Sequence, residues 1–114
     1  MTYIFDSEQG IYTMSTPLLL ATTKGHYYAV VLLLDNGANI NEGGRWNYTP
    51  LYTSLNYRYD NIALLLISRG ADIDMCFIRG IFVSEGGYVL RVAKRLIDLL
   101  YHNYVSDHVA NALR

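Results

Sequence analysis

The amino-acid sequence predicts an all-α fold, a solenoid of stacked helix-turn-helix units joined by hairpin-like turns. Three observations carry that expectation. Blocks of sequence recur at one spacing: Thr16-Pro17-Leu18 returns as Thr49-Pro50-Leu51, Leu32-Leu33 as Leu65-Leu66, and Gly37-Ala38-Asn39-Ile40 as Gly70-Ala71-Asp72-Ile73, every pair 33 positions apart. Each copy opens on Thr then Pro, an N-cap followed by a residue suited to the first helical position. Each closes on glycine, which takes the left-handed conformation that ends a helix.

The elements follow in order. Residues 2–14 hold Tyr3, Ile4, Phe5, Ile11, Tyr12 and Met14, too apolar for a free tail yet without a helical period. They are expected to cover the first unit, with contact to another subunit as the alternative, because an exposed apolar segment invites aggregation. Thr16 and Pro17 start a helix of about two turns that runs to Lys24, and Gly25-His26 forms the bend. A more apolar helix follows over 27–35, with Val30, Leu33 and Leu34 spaced to face the first. Gly43-Gly44 signals a projecting turn before the second unit. There Thr49 and Pro50 open a helix to about Tyr57, Asp60 caps the next through Ser68, and Gly70 stops it.

The same count places a third unit near 79–111, its opening lost because Phe82 and Val83 stand where Thr and Pro should be. Leu96, Leu99 and Leu100 keep the apolar face of its second helix, Asn103 takes the stop position, and Ser106 is placed to cap a last short helix. The frame divides a single domain into an N-terminal cap or arm at 1–12, units at 13–45 and 46–78, and a degenerate third unit with C-terminal cap at 79–114. A terminal unit of this kind has an inner face to bury and an outer face to keep in water.

Composition narrows the function classes. With 52% apolar and 17% charged residues and a net charge of -1, neither disorder nor a nucleic-acid partner is expected. One cysteine makes no internal disulfide and completes no structural zinc site. The first ten residues carry Asp6 and Glu8 and no base, unlike a targeting segment. The longest apolar stretch, 27–34, falls short of the roughly 20 residues that span a bilayer. A soluble, intracellular and cytoplasmic protein with no membrane partner is expected.

Turn, short helix, tight bend, longer helix and glycine stop at this period resemble the ankyrin repeat. In the first unit the resemblance rests on Thr16-Pro17-Leu18, Ala21, Gly25-His26, Val30, Leu33-Leu34, Gly37-Ala38 and Asn41. In the second it rests on Thr49-Pro50-Leu51, Ile62, Leu66-Ile67, Gly70-Ala71 and Asp74. Two departures stand out. Leu19 and Tyr52 replace the histidine that in this family ties adjacent turns together, and Arg58-Tyr59 replaces Gly-His at the second bend, where a left-handed residue other than glycine is strained. The irregular ends and the Asn, Ile and Tyr content resemble family members from large DNA viruses and intracellular microbes, which would act in host cytoplasm. With no F-box-like extension in view, a ubiquitin-ligase adaptor is not expected.

Candidate chemistry is sparse, and no enzyme, cofactor or metal is expected. Cys76, beside Phe77 and Ile78, reads as a small buried hydrophobe. The resemblance gives His26 a packing and hydrogen-bonding role at its bend. His102 and His108, six apart, do not share a helix face. Asp72 and Asp74 match Asn39 and Asn41 and read as turn formers. Gly86-Gly87 shapes a helix entry, and Asn47-Tyr48-Thr49 is discounted as a glycosylation acceptor because Thr49 caps a helix. Arg91, Lys94 and Arg95 are interrupted by Asp98 and read as a solvated face.

The resemblance implies a protein partner held on the concave face formed by the turns and the first helices. It places Arg45, Trp46, Tyr48, Tyr52, Asn56 and Tyr57 there, against a milder first-unit set of Tyr12, Thr13, Ser15, Thr23 and Lys24. Trp, Tyr and Arg often dominate interface energy, combining large buried area with directed polar contacts. The expected function is recognition of a protein, a host protein if the source is viral or microbial. The alternative is a self-assembling homodimer joined through the apolar N-terminal segment or the degenerate C-terminal repeat.

Overall fold

The computed structural model describes residues 2–6, 11–43, 48–74 and 86–112. An antiparallel hairpin leads, β1 (Thr2–Asp6) pairing with β2 (Ile11–Ser15) so that Thr2 faces Ser15 and Ile4 faces Thr13. Alternation of apolar and polar residues in Tyr12-Thr13-Met14-Ser15 suits a strand, which explains why no helical period is found there. Two helix pairs follow: α1 (Pro17–Thr23) with α2 (Tyr27–Asp35), then α3 (Pro50–Asn56) with α4 (Asp60–Ser68). A long helix, α5 (Gly86–Ala112), completes the described chain. Each pair packs internally, α1 lies on α3, α2 touches α4, and α5 lies on α3.

Local chemistry accounts for the boundaries. Thr16 Oγ1 accepts from Leu19 N at 3.0 Å and Thr49 Oγ1 accepts from Tyr52 N at 3.2 Å, so both threonines cap as expected and Pro17 and Pro50 open their helices. Gly25, Gly37 and Gly70 all have positive φ at the ends of the first, second and fourth helices. At the third helix end the left-handed residue is Arg58, with φ 63°. Its bend copies the glycine bend: Gly25 N donates to Thr22 O and His26 N to Ala21 O, as Arg58 N donates to Leu55 O and Tyr59 N to Ser54 O. The backbone strain of a left-handed non-glycine residue is tolerated there and the bend keeps its shape.

The core lies between the helix pairs. Leu18, Ala21, Val30, Leu51, Tyr52, Leu55, Ile62, Ala63 and Leu66 are buried together, and Val92 and Leu96 of α5 join them. Leu33 and Leu34 flank this cluster, matching the face expected for α2. Inside it, hydroxyls turn back on their own helices: Thr22 Oγ1 donates to Leu18 O and Ser54 Oγ to Leu51 O, each at 2.8 Å. These two buried hydroxyls are thus satisfied without crossing the seam.

Several expectations are corrected. Asp60 is the first residue of α4, the N-cap position belonging to Tyr59; the carboxylate still favours the helix N-terminus. Asn103 and Ser106 neither stop nor start a helix, because α5 runs unbroken past both, and no glycine or proline after Gly87 interrupts it. Leu96 is buried and Leu99 half-buried as expected, but Leu100 is exposed. The opening of the third unit, the Gly43-Gly44 turn beyond Gly43, and Cys76 lie outside the described residues.

Candidate partner-binding site

The face expected to bind a partner centres on α3 and the chain entering it. Tyr48 and Tyr52 stack with ring centroids 4.6 Å apart and planes 6° from parallel. Tyr48 is half-buried, whereas Tyr52 is only 3% exposed, so Tyr52 cannot present itself to a partner. Its ring fills the core and supports Tyr48 from beneath, which corrects its placement among contact residues. Tyr52 occupies the position where the family has histidine, and the turn there is held by the Thr49 cap and by ring stacking.

At the far end of α3, Tyr57 is 52% exposed and lies over Tyr59, centroids 6.0 Å apart. Asn56 is half-buried, and its Oδ1 accepts from Arg91 Nη2 at 2.8 Å. Part of its hydrogen-bonding capacity is therefore used within the chain. Arg45 and Trp46 lie outside the described residues. The structure brings Tyr48 and Tyr52 together, sets Asn56 and Tyr57 at the opposite end of the same helix, and joins the two ends by one 7-residue helix.

Tyr59 is a functional surprise. It stands 33 positions after His26, yet His26 is exposed with no side-chain cap bond, so the packing role expected of His26 falls to Tyr59. The Tyr59 ring lies over Gly25, where a Cβ would come within 2.9 Å of Cε1, and its hydroxyl donates to Thr23 O at 3.4 Å. The repeat offset could have identified it, since a large ring at that register must meet the preceding bend.

The cationic stretch of α5 is also more than a solvated face. Arg95 Nη2 meets both Asp60 oxygens at 2.9 and 2.8 Å, tying α5 to the start of α4, as Arg91 ties it to the end of α3. Both contacts span 35 positions, a regularity visible in sequence only once α5 is known to lie against the second helix pair. Arg69 Nη1 similarly donates to Asp35 Oδ1 at 2.8 Å, linking the ends of α4 and α2. Asn41 Oδ1 accepts from Asp72 N at 2.8 Å, and Asn39 Oδ1 from Asn41 N at 3.1 Å, in keeping with turn-forming roles. Among the described residues no three His, Cys, Asp or Glu side chains gather as metal ligands, and no helix is long and apolar enough to cross a membrane.

Comparison with known proteins agrees with this architecture. A family model described as ankyrin repeats (3 copies) matches residues 3–75. An ankyrin repeat protein of Rickettsia bellii (strain RML369-C) is 37% identical over 65 residues, 55% of this chain and 26% of that protein. Ankyrin repeat and SOCS box protein 5 of Oryctolagus cuniculus is 35% identical over 69 residues, 60% of this chain and 21% of that protein, and its Bos taurus counterpart is 35% identical over the same length. The chain thus matches about a quarter or less of the length of these relatives. Ankyrin repeats are in general non-enzymatic protein–protein interaction modules. With two helix pairs stacked at a 33-residue period and more than half of the sequence matched by the family model, the chain belongs to the ankyrin-repeat family.

Proposed function

We propose that this chain recognises a protein partner through Arg45, Trp46, Tyr48, Asn56 and Tyr57, with Tyr52 as the buried support of Tyr48. The observation that carries the reading is Tyr57, an aromatic side chain 52% exposed and backed by the Tyr59 ring. A ring held in place from behind offers contact area at little further cost in conformational entropy. Action in the cytoplasm, on a host protein where the source is viral or microbial, belongs to the same reading. Replacing Trp46 and Tyr57 together with Ala tests it: partners recovered by affinity purification and mass spectrometry should be lost while the circular dichroism spectrum is unchanged. Undiminished recovery would count against it.

Self-assembly is the second reading, favoured by the outer half of α5. Ile97, Tyr101 and Val109 are 65%, 63% and 51% exposed. Ile97, Tyr101 and Val105, spaced four apart, form an apolar stripe on the side of the helix away from Val92 and Leu96. A C-terminal pairing of this kind, rather than one through residues 1–12, predicts a mass that rises with concentration in light scattering and returns to 13.0 kDa in an Ile97→Glu/Tyr101→Glu variant. A wild-type mass of 13.0 kDa at every concentration eliminates it.

A further inference from the structure

Where α5 crosses the bend after α3, a cleft of about 330 Å³ opens between Asn56, Arg58, Arg91, Lys94, Arg95 and Asp98. Four of these six side chains are cations, on a chain whose net charge is -1. Among the described residues, Asp60 pairs with Arg95, and Asp98 is the carboxylate that shares the wall with Arg58 and Lys94. Arg58 and Lys94 are exposed. Arg95 Nε is a buried donor with no hydrogen-bond acceptor among the described residues, an arrangement that costs free energy. Arg58 is held in the cleft wall by a left-handed backbone, φ 63°, where glycine would be easier. The position therefore keeps a long cation at a conformational cost of about 1 kcal/mol.

We infer that this cleft receives the carboxylates of an acidic peptide segment. Guanidinium groups bind carboxylates through charge-assisted, often bidentate hydrogen bonds, and a cleft with low-dielectric walls and several like charges concentrates the opposite charge. A protein partner is favoured over a free anion because the cleft is continuous with the proposed aromatic face: Asn56 belongs to both, and exposed Tyr57 directly precedes Arg58. The inference rests on that face being where a protein docks, and adds that the docked segment is acidic next to its contact with Tyr57.

The test uses an end-capped, fluorescent oligoglutamate peptide and an oligoglutamine control, read by anisotropy on the whole chain. The oligoglutamate should bind, weaken as salt is raised, and the oligoglutamine should not bind. In an Arg58→Gln/Lys94→Gln variant the affinity should fall about tenfold or more, the loss expected for two charge-assisted contacts. A Tyr28→Glu/Leu32→Glu variant reaches the same net charge of -3 from -1 on the exposed side of α2, and should stay within about twofold of wild type because distant exposed charges are screened. Both pairs are surface substitutions, and Lys94→Gln alone should show part of the loss should the double variant unfold. No binding by wild type, or equal losses in the two double variants, would overturn the inference. Binding of inorganic phosphate with the same dependence on Arg58 and Lys94, without binding of oligoglutamate, would overturn the choice of carboxylate. The Trp46→Ala/Tyr57→Ala variant should keep oligoglutamate binding. If it loses its protein partners while Arg58→Gln/Lys94→Gln retains them and the peptide, the aromatic reading stands and the acidic one fails.

Discussion

Gly25 carries two demands at once, a φ of 73° and a Tyr59 ring where its side chain would be. Gly37 carries only the first, with φ 86° and open space around it. Gly25→Ala should therefore destabilise by about 2 kcal/mol and Gly37→Ala by about 1 kcal/mol, compared by urea denaturation of the two variants. Similar costs would mean that Tyr59 moves aside freely. Pairing Gly25→Ala with Tyr59→Ala should then give a total loss smaller than the two separate losses added. At the second bend the reverse change applies: Arg58→Gly should raise stability by up to about 1 kcal/mol, the relief of backbone strain being partly offset by a more flexible unfolded chain.

At the scale of the element, the caps set the helix starts. Thr49 is 2% exposed and holds a buried Tyr52 N–H, while Thr16 is only half-buried. Thr16→Ala should cost about 1 kcal/mol. Thr49→Ala should cost more, because a buried donor left without an acceptor adds about 1–3 kcal/mol; equal midpoint shifts in denaturant would argue against this ordering. Helix starts, bends and stops of both pairs were legible in sequence because each depends on residues adjacent in the chain: Thr-Pro, Gly25, Gly37 and Gly70. What the chain brings together from far apart was not. Tyr59 over Gly25, Arg95 on Asp60 and Arg91 on Asn56 all depend on how units stack. The strand pair β1–β2 was illegible for the same reason, since its pairing depends on the two segments finding each other. The long α5 was misjudged because Asn103 and Ser106 favour helix ends only when packing requires an end, and both are exposed.

On the scale of the whole molecule, the two helix pairs share one seam, centred on Leu18, Val30, Leu51, Ile62 and Leu66. Leu66→Ala should lower stability by about 2–5 kcal/mol and, in a short array whose units stabilise each other, should unfold both pairs in a single transition. Separate transitions seen by circular dichroism and by tyrosine fluorescence would show that the pairs fold independently. Of the residues expected at the candidate site, Tyr57 is exposed, Tyr48 and Asn56 are half-buried and Tyr52 is buried. Sequence could not tell that Tyr52 is core, because a tyrosine at that register satisfies both an interface pattern and a packed one. The proposed recognition surface is the aromatic edge at α3, where Tyr57 is exposed and Tyr48 half-buried. The direct test is quantitative partner recovery by wild type and by Trp46→Ala/Tyr57→Ala at matched concentration, with unfolding midpoints recorded for both. Loss of partner with an unshifted midpoint is expected; full recovery by the variant would contradict recognition through Trp46 and Tyr57.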